Sequence, residues 1–207
     1  MSRTRETYHH GDLPSALIDA AEAVLAETGL DGFSLRRVAA RVGVSHSAPA
    51  HHFGDSGGLL AALATRGFER LLAAMQARQA LADPDPVEQL VASGLGYVDF
   101  ARARPALFRL IFAAPLPGAW GAALHAAGDA ALGHLAADLA RLRGSRPWDY
   151  PEARDEVLAI WSLTHGFAEL MISGRVKGAA EMTEAESAAL FRRILAQKLR
   201  LAEHLRA

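Results

Sequence analysis

The sequence predicts an all-α fold: an N-terminal three-helix unit containing a helix-turn-helix, joined to a larger helical domain, about nine helices in total. Three features predict it. Alanine and leucine, both strong helix formers, dominate a chain that is 51% hydrophobic and 22% charged. β-branched residues are sparse and no run alternates apolar with polar, so the period-2 signature of strands is missing. Glycine, proline and capping residues then cut the 207 residues into segments of helical length. There are no cysteines, which excludes disulfides, thiolate zinc sites and cysteine nucleophiles. No stretch approaches the ~18 uninterrupted apolar residues of a membrane span, and Met1–Leu13 is polar, without an apolar signal core. A cytoplasmic protein with no membrane partner is expected.

Asp12-Leu13-Pro14 opens the first helix, since proline is tolerated in a first turn. Leu17, Ala21, Val24, Leu25 and Thr28 repeat at helical spacing, and Gly29 closes the helix. Ser34 caps a short second helix with the apolar face Leu35, Val38, Ala39 and Val42, ended by Gly43. Ser45 is placed to cap a third helix through Phe53, and a fourth runs from about Ser56 through the Met75 region. After the break Asp83-Pro84-Asp85-Pro86, helices are expected over about 86–103 and 105–113. Pro115–Pro117 forms a turn, a long helix follows to about Arg143, and Gly144–Tyr150 is a loop. Asp149 with Glu152, and Thr183 with Glu186, have capping-box spacing and predict helices over about 151–174 and 184–205. The domain boundary falls between residues 55 and 56.

The net charge of −1 gives no general attraction to nucleic acid, and residues 1–56 hold five arginines against seven acids. Gly32–Gly54 differs, with three arginines, three histidines and no acid. The same segment carries Ser34 to Phe53, where two short helices meet across Gly43 and Ala39 is small enough for a close crossing. This is the spacing of a DNA-binding helix-turn-helix, whose second helix enters the major groove. It equally suits an ordinary αα-corner, and the motif alone leaves both open.

Residues 8–68 run from Tyr8-His-His-Gly-Asp-Leu through Val44-Ser-His-Ser-Ala-Pro and His51-His-Phe-Gly-Asp to Arg66-Gly-Phe. They resemble the N-terminal domain of the TetR/AcrR family of transcriptional regulators. Trp161-Ser-Leu-Thr-His165-Gly166 resembles the Trp-His-Gly signature of one C-terminal subgroup. The resemblance implies a ligand-responsive repressor that binds a palindromic double-stranded DNA operator as a homodimer. Residues 1–55 would hold the DNA, and 56–207 would bind a small-molecule effector that releases it and would form the dimer. No cofactor or metal is expected.

Within that frame, the residues expected at the DNA are Ser34, Arg36, Arg37, Ser45, His46, Ser47, Ala48, His51 and Ser56. Helix N-terminal amides and hydroxyls suit phosphates, and the histidines suit base acceptors or phosphate. His52 is expected to pack at the corner beside Phe53, and Arg41 to lie on a solvated face. Arg3 and Arg5 suit a minor-groove arm or a plain tail. The family pattern commonly has tyrosine at the position of Ala50 and lysine at that of Ser56, both serving the DNA backbone. Their replacement predicts few phosphate contacts and a shallow salt dependence. It also leaves open a ligand-binding helical protein that has lost most DNA affinity.

Tyr97, Phe108, Phe112, Trp120, Trp161 and His165 form the expected ligand-binding set: aromatic bulk with one polar group, His165, one turn after Trp161. Asp99 and His125 are lesser candidates. All the aromatics also read as bundle core. An apolar or aromatic effector suits this inventory better than an anion. The stripes Val157, Trp161, Thr164, Ala168, Ile172 and Leu190, Ile194, Gln197, Leu201 either pack within the monomer or, as the resemblance implies, pair with a dimer mate in a four-helix bundle. Catalysis is not expected. No phosphate loop after a strand is evident, and nothing local nominates a base and acid for a serine nucleophile.

Overall fold

The computed structural model describes residues 13–113, 121–179 and 181–204, the side chains of the last stretch as far as Leu199. Among the described residues there are nine α-helices and no strand. They are α1 (Leu13–Thr28), α2 (Leu35–Val42), α3 (Ala48–Phe53), α4 (Ser56–Gln79), α5 (Pro86–Ala103), α6 (Pro105–Phe112), α7 (Ala122–Arg143), α8 (Ala153–Ile172) and α9 (Glu184–His204). None is long and apolar enough to cross a membrane. Pro115 and Pro117 lie outside the described residues.

Local chemistry sets most of the boundaries. The Ser34 side chain accepts the Arg37 N–H at the start of α2, and Asp85 Oδ1 accepts the Val87 and Glu88 amides ahead of α5. α9 opens on a full capping box: Thr183 Oγ1 accepts the Glu186 N–H while Glu186 Oε2 accepts the Thr183 N–H. Those bonds hold the Glu186 carboxyl below its ordinary value. At Gly43, φ is +78° and its N–H reaches the Ala39 carbonyl, so the chain turns sharply where a side chain would be strained.

Two starts differ from the sequence expectation. Ser45 does not cap α3, which begins at Ala48. A helix starting at Ser45 would need residue 49 to donate to the Ser45 carbonyl, and Pro49 has no N–H. The carbonyl instead accepts Ala48 N–H in a turn, and Ser45 Oγ lies 3.1 Å from Ser47 Oγ. Nor does Asp149 form a capping box with Glu152. Its N–H turns back to the Arg146 carbonyl after Trp148, which sits at φ +65°, so α8 begins only at Ala153.

α4 is the spine of the molecule, packing on α1 and α3 at one end and along α5 and α7 at the other. Leu17, Val24, Leu25 and Val38 are buried where α1, α2 and α4 meet. Asp55 Oδ1 accepts Gly58 N–H at the start of α4, and a Cβ on Gly58 would lie 1.9 Å from the carbonyl oxygen of Phe53, the last residue of α3. Ion pairs reinforce the α1 seam: Arg66 with Asp19, Arg70 with Glu22, and Arg104 at the α5–α6 junction with Glu22 at 3.2 Å. At the far end, Gln79 Nε2 donates to the buried Asp138 carboxylate at 2.9 Å and to the Gln89 carbonyl at 3.1 Å, tying α4 to α7 and α5.

The α8 stripe turns inward. Val157, Thr164 and Ala168 are buried in the monomer, with Trp161 and Ile172 partly buried against the same core. The physical reason is that this face is the one that meets α5 and α7. Leu190 and Ile194 of α9 likewise pack on the core, and Gln197 is exposed; the Leu201 side chain lies outside the described residues. The outward face of α8 instead presents Leu158, 44% exposed, and Leu170, 48% exposed.

Candidate DNA-facing surface and internal cavity

α2, the turn through Ser45–Ser47 and α3 form one continuous exposed unit. Arg36, Arg37, Ser45, His46, Ser47 and His51 are exposed; Ser34, Ala48 and Ser56 are half-buried. Val38 and Ala39 are buried beneath α2, and Pro49 anchors α3 from below. Ser45, His46 and Ser47 stand in the turn and not on a helix, and Ser56 opens α4. His52, expected in the corner, is exposed, its ring 5.5 Å from that of His51 and 6.3 Å from that of Phe53. Arg41 is held by Glu27 at 2.7 Å. Ala50 is exposed on α3. Arg3 and Arg5 lie outside the described residues.

A cavity of about 330 Å³ opens between α4, α5, α6, α7, α8 and α9. Tyr97, Phe112 and Trp161 line it. Phe108 and His165 do not. Both lie behind the wall: the Phe108 ring stacks on His165 with centroids 5.2 Å apart and meets Tyr97 edge-on at 5.7 Å. Trp120 lies outside the described residues. Asp99 is engaged elsewhere, accepting from Arg78 Nε at 2.5 Å, and His125 is exposed on α7. Residues that sequence reasoning missed complete the wall, among them Phe68, Leu71 and Met75 of α4, Ser93 of α5, Leu132 of α7, Thr164 of α8 and Phe191 of α9. Phe68, Leu71 and Met75 recur at helical spacing, a signal that marks a buried face but not a cavity.

His165 is engaged with Tyr97. The Tyr97 hydroxyl and His165 Nδ1 are hydrogen-bonded at 2.8 Å. Burial raises the Tyr97 phenol far above its ordinary value, opposed by a hydrogen bond from the Trp161 side chain. Burial also lowers the His165 pKa, opposed by Glu169, which favours the neutral ring.

The sign of the pH effect follows. A folded histidine with a lowered pKa binds fewer protons than the unfolded one, so its contribution to stability is complete above about pH 6.5. That contribution is expected to fall as pH drops from there towards the lower folded pKa. Urea titrations at several pH values check this, and His165→Gln is expected to flatten the slope. An unchanged slope in the variant rules His165 out as its source.

A helix-turn-helix unit on a helical body with an apolar internal cavity defines the class of helical, DNA-binding transcription regulators. Comparison with known proteins makes this specific. Residues 17–63 match the family described as bacterial regulatory proteins, tetR family, and residues 90–197 match the tetracyclin repressor-like C-terminal domain. The chain belongs to the TetR family of transcriptional regulators. It is 33% identical over 110 residues to the HTH-type transcriptional regulator BetI of Serratia proteamaculans (strain 568), a stretch that is 53% of each chain. The match thus spans about half the length of this curated relative. A solved protein of unknown function from Rhodococcus sp. RHA1 is 31% identical, with a TM-score of 0.73 over 91% of this chain and 98% of that one. The TetR family transcriptional regulator PfmR of Thermus thermophilus shares the fold at 18% identity, with a TM-score of 0.63 over 86% of this chain and 95% of that one.

Proposed function

We propose that this protein is a ligand-responsive repressor in the cytoplasm. It binds a palindromic operator as a homodimer and leaves it when a small apolar or aromatic molecule enters the cavity. Residues 1–55 read the DNA through Ser34, Arg36, Arg37, Ser45, His46, Ser47, Ala48, His51 and Ser56, and residues 56–207 hold the effector and the second copy. The observation that carries the reading is α4. One 24-residue helix has its first turn fixed under α3 and its Phe68, Leu71 and Met75 in the cavity wall, so a ligand pressing on that wall pushes on the base of the DNA-facing unit. Trp161, His165 and Gly166 suit the subgroup with the Trp-His-Gly signature.

The outward face of α8, and not its inward stripe, is the dimer surface in this reading. Leu158 and Leu170 are exposed there. Gly166 lies between them, and a Cβ at that position would meet nothing within 4 Å inside the chain. A mid-helix glycine costs about 1 kcal/mol relative to alanine, a cost that close approach of a second α8 accounts for.

Selection of bound duplexes from a random DNA library, at low and near-physiological salt, tests the proposal. One enriched palindrome bound by a dimer is expected, with a shallow slope of log K against log salt because Ala50 and Ser56 supply no lysine or tyrosine contact. No enriched sequence, from protein shown to be folded and dimeric, would instead support the second reading, a ligand-binding protein without operator affinity.

A further inference from the structure

We infer that the cavity takes an uncharged, largely apolar molecule carrying one hydroxyl or carbonyl group, and that Ser93 is the residue that hydrogen-bonds it. The inference rests on the cavity being the effector site. Ser93 lies in the middle of α5, one turn before Tyr97 and on the same face. It lines the cavity and is 1% exposed, and its Oγ has no hydrogen-bond partner.

A buried serine in a helix ordinarily bonds back to the carbonyl four residues earlier. Here that carbonyl belongs to Gln89, and it already accepts Gln79 Nε2 at 3.1 Å in the α4–α5–α7 network. With the helical N–H of Ser93 on its other lone pair, the carbonyl has no capacity left. The network therefore keeps the hydroxyl unpaired. A side chain so short reorients by rotation about one bond, so a ligand group beside it can be given either a donor or an acceptor.

The rest of the wall sets the charge of the ligand. The Tyr97 hydroxyl is committed to His165. Asp129 is the single carboxylate among the lining residues, which include no lysine, arginine or histidine. An anion would enter without a counter-charge and meet Asp129, so the wall selects against it. The volume of about 330 Å³ is at the low end for small-molecule sites, which suits a compact ring system.

Calorimetric titration of the full chain with three probes of one shape, 2-naphthol, 2-methylnaphthalene and naphthalene-2-carboxylate, tests the inference. The wild type is expected to bind 2-naphthol about three- to tenfold more tightly than the hydrocarbon, the gain of one neutral hydrogen bond, and the carboxylate at least about tenfold more weakly than 2-naphthol. Ser93→Ala should equalise 2-naphthol and 2-methylnaphthalene while leaving the melting temperature of the free protein unchanged or higher, since it removes an unpaired buried hydroxyl. Leu132→Trp, which narrows the cavity from α7, should weaken both neutral probes. Equal binding of the neutral probes by the wild type, an advantage that survives in Ser93→Ala, or tightest binding of the carboxylate each overturn the inference while leaving the cavity a ligand site. No binding of any probe, or binding untouched by Leu132→Trp, overturns the cavity reading and this inference with it.

Discussion

Phe108→Ala is expected to lower the free energy of unfolding by about 3–5 kcal/mol, the usual cost of emptying a core phenylalanine site. Phe108 is 1% exposed and stands where α5, α6 and α8 converge. Its ring touches Tyr97, Phe112 and His165, with centroids 5.7, 5.2 and 5.2 Å away. Alanine removes the layer on which the Tyr97–His165 pair rests, so the loss includes contacts that those rings make with each other. Rigid neighbours on three helices limit collapse into the space, which places the cost toward the upper end of the range. Urea unfolding measures it. Phe108→Leu keeps most of the volume and is expected to lose clearly less, and equal losses in the two variants would show that filled volume is not what the site requires.

The second large effect concerns two glycines that look alike in the sequence. Gly96 is in α5 and Gly133 in α7, both in helix interiors. A Cβ at Gly96 would stand 2.4 Å from the Ala74 carbonyl oxygen and 2.6 Å from the Met75 Cα, both backbone atoms of α4. A Cβ at Gly133 would meet nothing within 4 Å. Gly133→Ala is therefore expected to stabilise by about 0.4–1 kcal/mol through helix propensity. Gly96→Ala must separate α4 from α5, and a net loss of about 1–3 kcal/mol or more is expected despite the same propensity gain. Thermal unfolding of the two variants should move in opposite directions. Parallel shifts would mean that α4 and α5 do not approach so closely.

The elements whose boundaries depend on a few adjacent residues were legible in the sequence. Asp85 before Pro86, Thr183 with Glu186, and Ser34 with Gly43 each satisfy backbone groups within one turn, so the pattern carries the geometry. Ser45 and Asp149 have the same residue types without the result. At Ser45 the missing donor sits four residues on, at Pro49, and at Asp149 the preceding backbone turns the amide away.

The candidate site was legible as an inventory and not as an arrangement. Tyr97, Phe112, Trp161 and Phe108 read alike in sequence as aromatic bulk on helices, with His165 as the polar member, yet three of the five face the cavity and two, Phe108 and His165, stand behind it. Which layer each occupies depends on how three helices pack, and periodicity along one helix does not encode that. Ser93 left no signal because its unpaired state arises from Gln79, on another helix. The α8 stripe was legible as buried, but whether by its own chain or by a second copy was not.

The shortness of α3 bears on how the DNA-facing surface keeps its shape. Six residues cannot sustain a helix in water by themselves, so α3 borrows its order from the buried Pro49 and from the first turn of α4, packed against the Phe53 carbonyl. The two segments then have no joint between them at which one can fray alone. Amide hydrogens of His51 and Gly54, which close the turns of α3 on Ser47 and Ala50, are expected to exchange together with those at the start of α4, as one cooperative unit.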